Sequence, residues 1–143
     1  MEIVISDLLE YLELNIENYP LDKFTIHETI KGLILAFFLE TEYRLVPELS
    51  KYKRVGKKSI KKRIDGVVFD KFNNPVIAIE IDSRYRLRNY ETLMMWECKR
   101  LWIDYSSEGL LFNGFNTEGI QIAHLFKRVK AKNKFKKGVL RTL

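Results

Sequence analysis

Two apolar segments separated by a short polar turn constrain the fold of this chain more than any other feature. They cover residues 63–70 and 75–82, and the sequence Lys-Phe-Asn-Asn at 71–74 lies between them. Segments rich in valine and isoleucine on either side of such a turn are typical of a β-hairpin. The spacing therefore predicts two antiparallel strands, and their pairing decides which residues oppose each other.

The register of this predicted hairpin brings two acids together. If Asp70 pairs with Pro75, Asp65 lies opposite Glu80, and opposed residues have Cβ atoms about 4.5–5.5 Å apart. Carboxylates at that separation repel each other unless a proton or a cation lies between them. Mg²⁺ takes oxygen ligands and often only one or two carboxylates, so this pair is a candidate metal site. The alternatives are that both acids face solvent, or that a slip of two residues offsets them on the same face.

The same register divides the hairpin into an apolar face and a partly ionic face. Side chains alternate along a strand, so one face is expected to enter the core. That face contains Ile64, Gly66, Val68, Ile77, Ile79 and Ile81. On the other face, at the end away from the turn, Arg63 opposes Asp82 next to the acidic pair. In the solvent-exposed alternative, Arg63 neutralises Asp82.

The remaining periodicity predicts an α/β domain with a central mixed β-sheet flanked by helices. Thr25 and Glu28 read as a capping box at the start of the second helix. The basic stretch that follows residue 50 is expected to be a loop. We expect one domain over residues 1–126, with its core at about 25–105, and a basic C-terminal tail over 127–143. Helices are predicted at residues 6–18, 25–40 and 86–99, and strands at 42–49, 63–70, 75–82, 101–105 and, more briefly, 110–112.

Positive charge is concentrated in two segments. Residues 51–63 hold eight of the 25 Lys and Arg, and residues 127–141 hold eight more, with no acid in either segment. The rest of the chain carries nine basic and 19 acidic residues. Clustered cations favour a phosphate backbone, because each neutralised phosphate releases counterions. We therefore expect a nucleic-acid partner; the alternative is a solvated loop and a solvated tail.

Composition excludes several other classes of protein. A single cysteine, Cys98, excludes an internal disulfide and a cysteine-rich zinc site, and two histidines leave any metal mainly to carboxylates. The longest apolar run, residues 33–39, is well short of the roughly 18–20 residues that span a bilayer. The N-terminus lacks the pattern of a secretory signal. We expect a protein of the cytoplasm without a membrane partner.

The hairpin segments KRIDGVVFD at 62–70 and PVIAIEID at 75–82 resemble the core of the PD-(D/E)xK nuclease superfamily, which has a restriction-endonuclease-like fold. Within the superfamily, their pattern most resembles the very-short-patch-repair-like branches, which have Glu-x-Asp at the second motif. The resemblance covers about residues 25–105. It implies Asp65 and Glu80 as catalytic metal ligands, with a main-chain carbonyl near Ile81 and Mg²⁺ or Mn²⁺ as cofactor. Glu28 would be a further ligand, although the capping box explains this residue equally well.

Two departures from the family pattern affect what the resemblance implies. Asp82 occupies the place of the usual motif lysine, and in the similar branches it would be a catalytic metal ligand instead. Three residues are candidates to supply the positive charge of the missing lysine: Arg84, Arg86 and Lys99. Where those branches tend to have a histidine, this chain has Arg84-Tyr85-Arg86. The residues expected to hold phosphate are Arg63, Arg84, Arg86, Lys99, Lys57, Lys58, Lys61 and Lys62.

Together these features predict a magnesium-dependent nuclease, acting on DNA as an endonuclease. Cutting both strands of a duplex usually needs two sites, so a homodimer is expected. A first alternative is a catalytically inactive DNA-binding module that kept the nuclease fold and lost the lysine. A second is an interaction protein whose basic tail docks a protein partner.

Overall fold

A computed structural model describes residues 1–19, 22, 24–106 and 117–129. Its helices and strands follow one another in the order that the sequence predicts, and one further strand comes at the end. The elements are α1 (Glu2–Asn15), a 3-10 turn (Ile16–Asn18), α2 (Ile26–Leu39), β1 (Arg44–Val55), β2 (Lys58–Phe69), β3 (Pro75–Asp82), α3 (Leu87–Met94), β4 (Lys99–Asp104) and β5 (Gln121–His124).

The five strands form one mixed sheet in the order β1-β2-β3-β4-β5. The β1–β2 and β2–β3 pairs are antiparallel, whereas β3–β4 and β4–β5 are parallel. Helix α3 lies in the crossover that joins the parallel strands β3 and β4, as such connections usually require. The predicted α/β class with a mixed central sheet flanked by helices is therefore confirmed. Within the described residues, no helix is long and apolar enough to cross a membrane.

The two faces of the sheet bury separate sets of apolar side chains. Helices α1 and α2 cover one face, where Ile77, Ile79 and Ile81 are buried as predicted. Helix α3 covers the other, where Trp102 is fully buried. Ile64 was predicted to join the three isoleucines, and this is wrong, because it packs beside Trp102. The alternation of β2 is interrupted next to Glu48 of β1, whose φ of 54° lies in the left-handed region that distorts a regular strand.

The β2–β3 register agrees with the prediction over its central part. Gly66 pairs with Ile79, and Val68 pairs with Ile77. Nearer the turn the register shifts, so Phe69 pairs with Pro75. The β2–β3 ladder ends at Gly66, beyond which β2 continues beside β1 alone. The predicted opposition of Arg63 and Asp82 is therefore wrong.

The basic stretch after residue 50 is not the predicted loop. It forms the outer half of the β1–β2 hairpin, in which Lys51 pairs with Lys62 and Val55 pairs with Lys58. The turn contains Gly56, whose φ of 62° suits the tight two-residue turns of hairpins. We call residues 51–62 the basic ribbon. The high charge of the segment masks the strand-forming residues Tyr52, Val55 and Ile60.

The helix ends differ from those predicted. Helix α1 begins at Glu2 instead of Ser6, and α3 ends at Met94, well before residue 99. The predicted capping box does not form, because the Thr25 hydroxyl donates to the carbonyl of Asp22 and makes no cap bond to α2. Strand β5 was not predicted. The possible strand at 110–112 and the tail from 130 onward lie outside the described residues.

Candidate metal centre

A pocket of about 400 Å³ opens where β2 leaves β3, and α2 and α3 contribute to its walls. Its charged lining combines four acids with four cations and a histidine. Among the described residues, the acids are Glu48, Asp65, Glu80 and Asp82, and the cations are Lys61, Lys62, Arg63 and Arg88. His27, Asn89 and Thr92 complete the lining. Three of the four acids expected to hold a metal therefore share one cavity, and Glu28 is not part of its lining.

Asp65 and Glu80 are joined by hydrogen bonds beyond the end of the β2–β3 ladder. The backbone amide of Asp65 donates to Oε1 of Glu80 at 3.1 Å. The amide of Ile81 donates to Oδ2 of Asp65 at 2.8 Å. Each carboxylate thus accepts from a backbone amide of the neighbouring strand, which helps to fix its orientation. The pair is pre-organised by the same strands that build the core.

Glu80 lies in an environment that disfavours its negative charge. Only 4% of the residue is exposed. Burial, and then the charges of Asp65 and Asp82, raise its pKa to about 9, while the amide of Asp65 acts in the opposite direction. Without a cation, Glu80 therefore holds a proton at neutral pH.

Asp82 is anchored from the α3 side of the sheet. Its Oδ2 accepts hydrogen bonds from Nε1 of Trp102 at 2.8 Å and from Nδ2 of Asn89 at 2.9 Å. Burial raises the pKa of Asp82 to about 6, and these two hydrogen bonds oppose the rise. Its partners are thus neutral donors, and the arginine predicted to neutralise it pairs with another acid: Nε of Arg63 is 3.1 Å from Glu48.

His27 enters the pocket from the first turn of α2. Its Nε2 is 3.3 Å from Oδ1 of Asp65, and its Nδ1 is 3.3 Å from Glu28. The hydrogen bond with Asp65 is the main cause that raises the pKa of His27, and burial opposes it. The sequence pointed to Glu28 on this turn. The structure places Glu28 at the surface, with 72% of its side chain exposed, and brings in the preceding histidine instead.

The predicted phosphate-binding residues are divided by the structure. Lys61, Lys62 and Arg63 line the pocket, whereas Lys57 and Lys58 lie at the tip of the basic ribbon. Lys62 is 3.6 Å from Glu91 of α3. The strand that carries Asp65 therefore also carries three cations into the same cavity.

The three candidates for a replacement cation do not line this pocket. Lys99 begins β4 beside Ile77, near the opposite end of β3, and is 3.7 Å from Glu2. Arg84 and Arg86 are exposed between β3 and α3. Arg88 lines the pocket from α3 instead. Only its nearness in sequence to the second motif hinted at this role, because the direction of the side chain depends on how α3 packs.

The donors in the pocket suit Mg²⁺ or Mn²⁺. Among the described residues, no three His, Cys, Asp or Glu side chains already form a ready-made metal-binding group. Mg²⁺ rarely needs one, since it is commonly held by one or two carboxylates together with waters and substrate phosphates. Asp65 and Glu80 supply two hard oxygen donors, and Asp82 adds negative charge beside them. A divalent cation would neutralise this excess, so the donor set fits such an ion.

A second buried acid lies at the end of β4. Asp104 is fully buried, with Oδ2 at 2.5 Å from Nδ1 of His124 and Oδ1 accepting from the amide of Ser106 at 2.7 Å. The pair does not belong to the lining of the acidic pocket. It joins β4 to β5, which the sequence analysis did not predict.

Comparison of the chain with models of protein families, with curated proteins and with solved structures gives no match. The resemblance to the PD-(D/E)xK superfamily therefore stays a prediction carried by the two hairpin segments. The geometry of the pocket is independent of that resemblance.

Proposed function

We propose that this chain is a metal-dependent nuclease that hydrolyses phosphodiester bonds in DNA. The supporting observation is the pocket in which Asp65 and Glu80 are held together by hydrogen bonds with Asp82 nearby. A partly buried group of carboxylates fits a divalent cation, and the cations around it fit the phosphates of a polyanion. One cavity thus contains both the carboxylates for a metal ion and the basic residues for phosphate.

Each residue of the pocket has a role in this proposal. Asp65 and Glu80 hold the ion, with Asp82 beside them, and His27 keeps Asp65 in its orientation through the hydrogen bond at Oδ1. A bound Mg²⁺ would polarise the scissile phosphate and lower the pKa of a bound water molecule. Trp102 and Asn89 hold Asp82 by one oxygen.

Arg88 and Lys61 replace the missing motif lysine in this proposal. Both line the pocket, and neither has an ion-pair partner among the described residues. Arg63 and Lys62, in contrast, already pair with glutamates. A guanidinium such as that of Arg88 binds phosphate through two parallel hydrogen bonds, which suits transition-state charge.

A non-catalytic DNA-binding module is the second candidate function. Asp82 at the position of the motif lysine favours it, because a carboxylate cannot donate to the phosphate. In that case the basic residues would bind DNA and the acidic pocket would carry out no hydrolysis.

A cleavage assay separates the two functions. Purified protein with Mg²⁺ or Mn²⁺ is incubated with supercoiled, linear duplex, single-stranded and branched DNA. We expect nicking or cutting, and a loss of about 100-fold or more in rate for Glu80→Gln, because the ion provides both the nucleophile and charge stabilisation. Glu97→Gln, at an exposed position, is the matched control and should keep the wild-type rate. A wild-type protein that is inert on every substrate would favour the binding module.

A further inference from the structure

The basic ribbon extends beyond the rest of the sheet. Its strands pair with each other from Lys51–Lys62 to Val55–Lys58, whereas β2 pairs with β3 only from Gly66 onward. Residues 51–61 are all exposed. A two-stranded arm of this kind has little of its own to bury, so its surface is available to a partner.

The charge of this arm is largely uncompensated. It contains seven cations and no acid. Lys62 pairs with Glu91, and Lys51 donates to the carbonyl of Met95 while its Nζ lies 4.7 Å from the centre of the Trp96 ring. The others have no ion-pair partner among the described residues; they are Lys53, Arg54, Lys57, Lys58 and Lys61.

Cations lie on both faces of the arm. Strand alternation and the observed register place Lys53 with Lys58 on one face, and Arg54 with Lys61 on the other. A membrane or a flat anionic surface would engage one face alone. A ribbon charged on both faces instead matches a groove whose two walls are both lined with phosphates.

The dimensions of the arm favour DNA as the partner. The major groove of B-form DNA is about 12 Å wide and admits a two-stranded β-ribbon. The major groove of duplex RNA is deep and narrow, and side chains cannot read it. A two-stranded ribbon therefore fits the major groove of a DNA duplex and is excluded from that of an RNA duplex of the same sequence.

The arm begins at the candidate metal centre. Lys61 and Lys62 line the acidic pocket, and Asp65 lies three residues further along the same strand. We propose that the basic ribbon enters the major groove of duplex DNA on one side of the phosphate held in the pocket, an inference that rests on the proposed nuclease function. From Asp65 to Lys58 the strand extends about 23 Å at roughly 3.3 Å per residue, which corresponds to about seven base pairs.

Binding measured by fluorescence anisotropy in EDTA tests this inference without requiring hydrolysis. The ribbon variant Lys53→Gln/Lys58→Gln is compared with Arg44→Gln/Lys71→Gln, which removes the same charge near the β2–β3 turn. We expect the ribbon variant to reduce the slope of log affinity against log salt by about 1.8, since each phosphate contact contributes about 0.9. The control should change the slope by less than about 0.3. A second ribbon variant, Arg54→Gln/Lys57→Gln, should reproduce the loss.

Two competitors identify the groove and the nucleic acid. Netropsin fills the minor groove and should leave binding unchanged, and duplex RNA of the same sequence should bind at least about tenfold more weakly. Equal slopes for the ribbon and control variants, displacement by netropsin, or equal affinity for RNA would each overturn the inference.

If the protein cuts DNA but the slopes are equal, the ribbon inference fails and the nuclease function stands. If the slopes differ as expected but no substrate is cut, the nuclease function fails and the ribbon remains a DNA-binding arm.

Discussion

At the scale of single residues, the burial of Glu80 makes the stability of the metal-free protein dependent on pH. Burial raises its pKa from the ordinary value of 4.5 to about 9, so the folded state holds the proton more tightly than the unfolded state does. Stability therefore falls as pH rises through this interval. We expect Glu80→Gln in EDTA to melt higher than wild type at pH 8.5, by about 3 °C or more, with a smaller difference at pH 5. Differential scanning calorimetry measures these melting temperatures. A difference between Glu80→Gln and wild type that does not change with pH would contradict the raised pKa of Glu80.

The surroundings of Asp82 predict a separate effect on metal use. Asp82→Asn keeps an oxygen for Trp102 and Asn89, so we expect melting within about 2 °C of wild type at pH 8. The Mg²⁺ concentration for half-maximal cleavage should rise about tenfold, as expected when a metal site loses a supporting charge. Since Arg63 pairs with Glu48, Arg63→Gln and Asp82→Asn should be additive in a double-mutant cycle. An interaction energy above about 0.5 kcal/mol would restore the ion pair that the sequence predicted.

The acids Asp65, Glu80 and Asp82 and the cations of β2 were accessible from the sequence, whereas the residues that the helices contribute to the pocket were not. Asp65 and Glu80 meet because a short turn and regular alternation determine strand register, which is local information. His27 and Arg88 come from helices on opposite faces of the sheet. Which side of each helix faces the cavity depends on packing over the whole sheet, and no spacing within the helix reveals it.

At the scale of secondary structure elements, β2 shows both the strength and the limit of pattern analysis. Its inner half has an apolar alternation that predicts a strand, whereas its outer half is lysine-rich and exposed on both faces. Burial gives a strand its sequence signal, so a projecting arm has little of one. The sequence signals of this arm are the turn at Gly56 and three apolar residues among the lysines.

The close approach of β1 to β2 at Gly66 gives a prediction for the sheet. A Cβ at this position would lie 2.9 Å from Cδ1 of Leu45, a distance that requires the leucine to move. We expect Gly66→Ala to lower the free energy of unfolding by about 1 kcal/mol, and Gly66→Val by more. In a Leu45→Val background the alanine should cost less, because the contacting methyl group is gone. Urea denaturation measures these differences; an equal cost in both backgrounds would show that Leu45 is not the cause.

At the scale of the whole molecule, the acidic body and the basic segments predict strong salt dependence. Deleting residues 130–143, which lie outside the described part, removes six basic residues. If half of them contact phosphate, the salt slope of DNA binding should fall by about three. The domain should still fold, because the deleted segment contains few apolar residues. An unchanged slope would assign the tail another role and leave the basic ribbon as the site of DNA contact.

Assembly is a second property of the whole molecule. If the proposed nuclease function holds, one pocket would act on one strand at a time, and cutting both strands together would usually need two chains. We expect light scattering to show a homodimer in the presence of DNA if linear product forms directly from supercoiled plasmid. A monomer that yields nicked plasmid alone would fit a single-strand endonuclease.

The proposed function requires that the pocket of Asp65, Glu80 and Asp82 bind a divalent cation. Calorimetric titration of the protein with Mn²⁺ at pH 7.5 tests it directly, with Glu80→Gln as the site variant and Glu97→Gln as the exposed control. We expect Mn²⁺ to bind saturably to wild type and to the control, and at least about tenfold more weakly to Glu80→Gln. No saturable binding to wild type, or equal binding by the two glutamine variants, would contradict it.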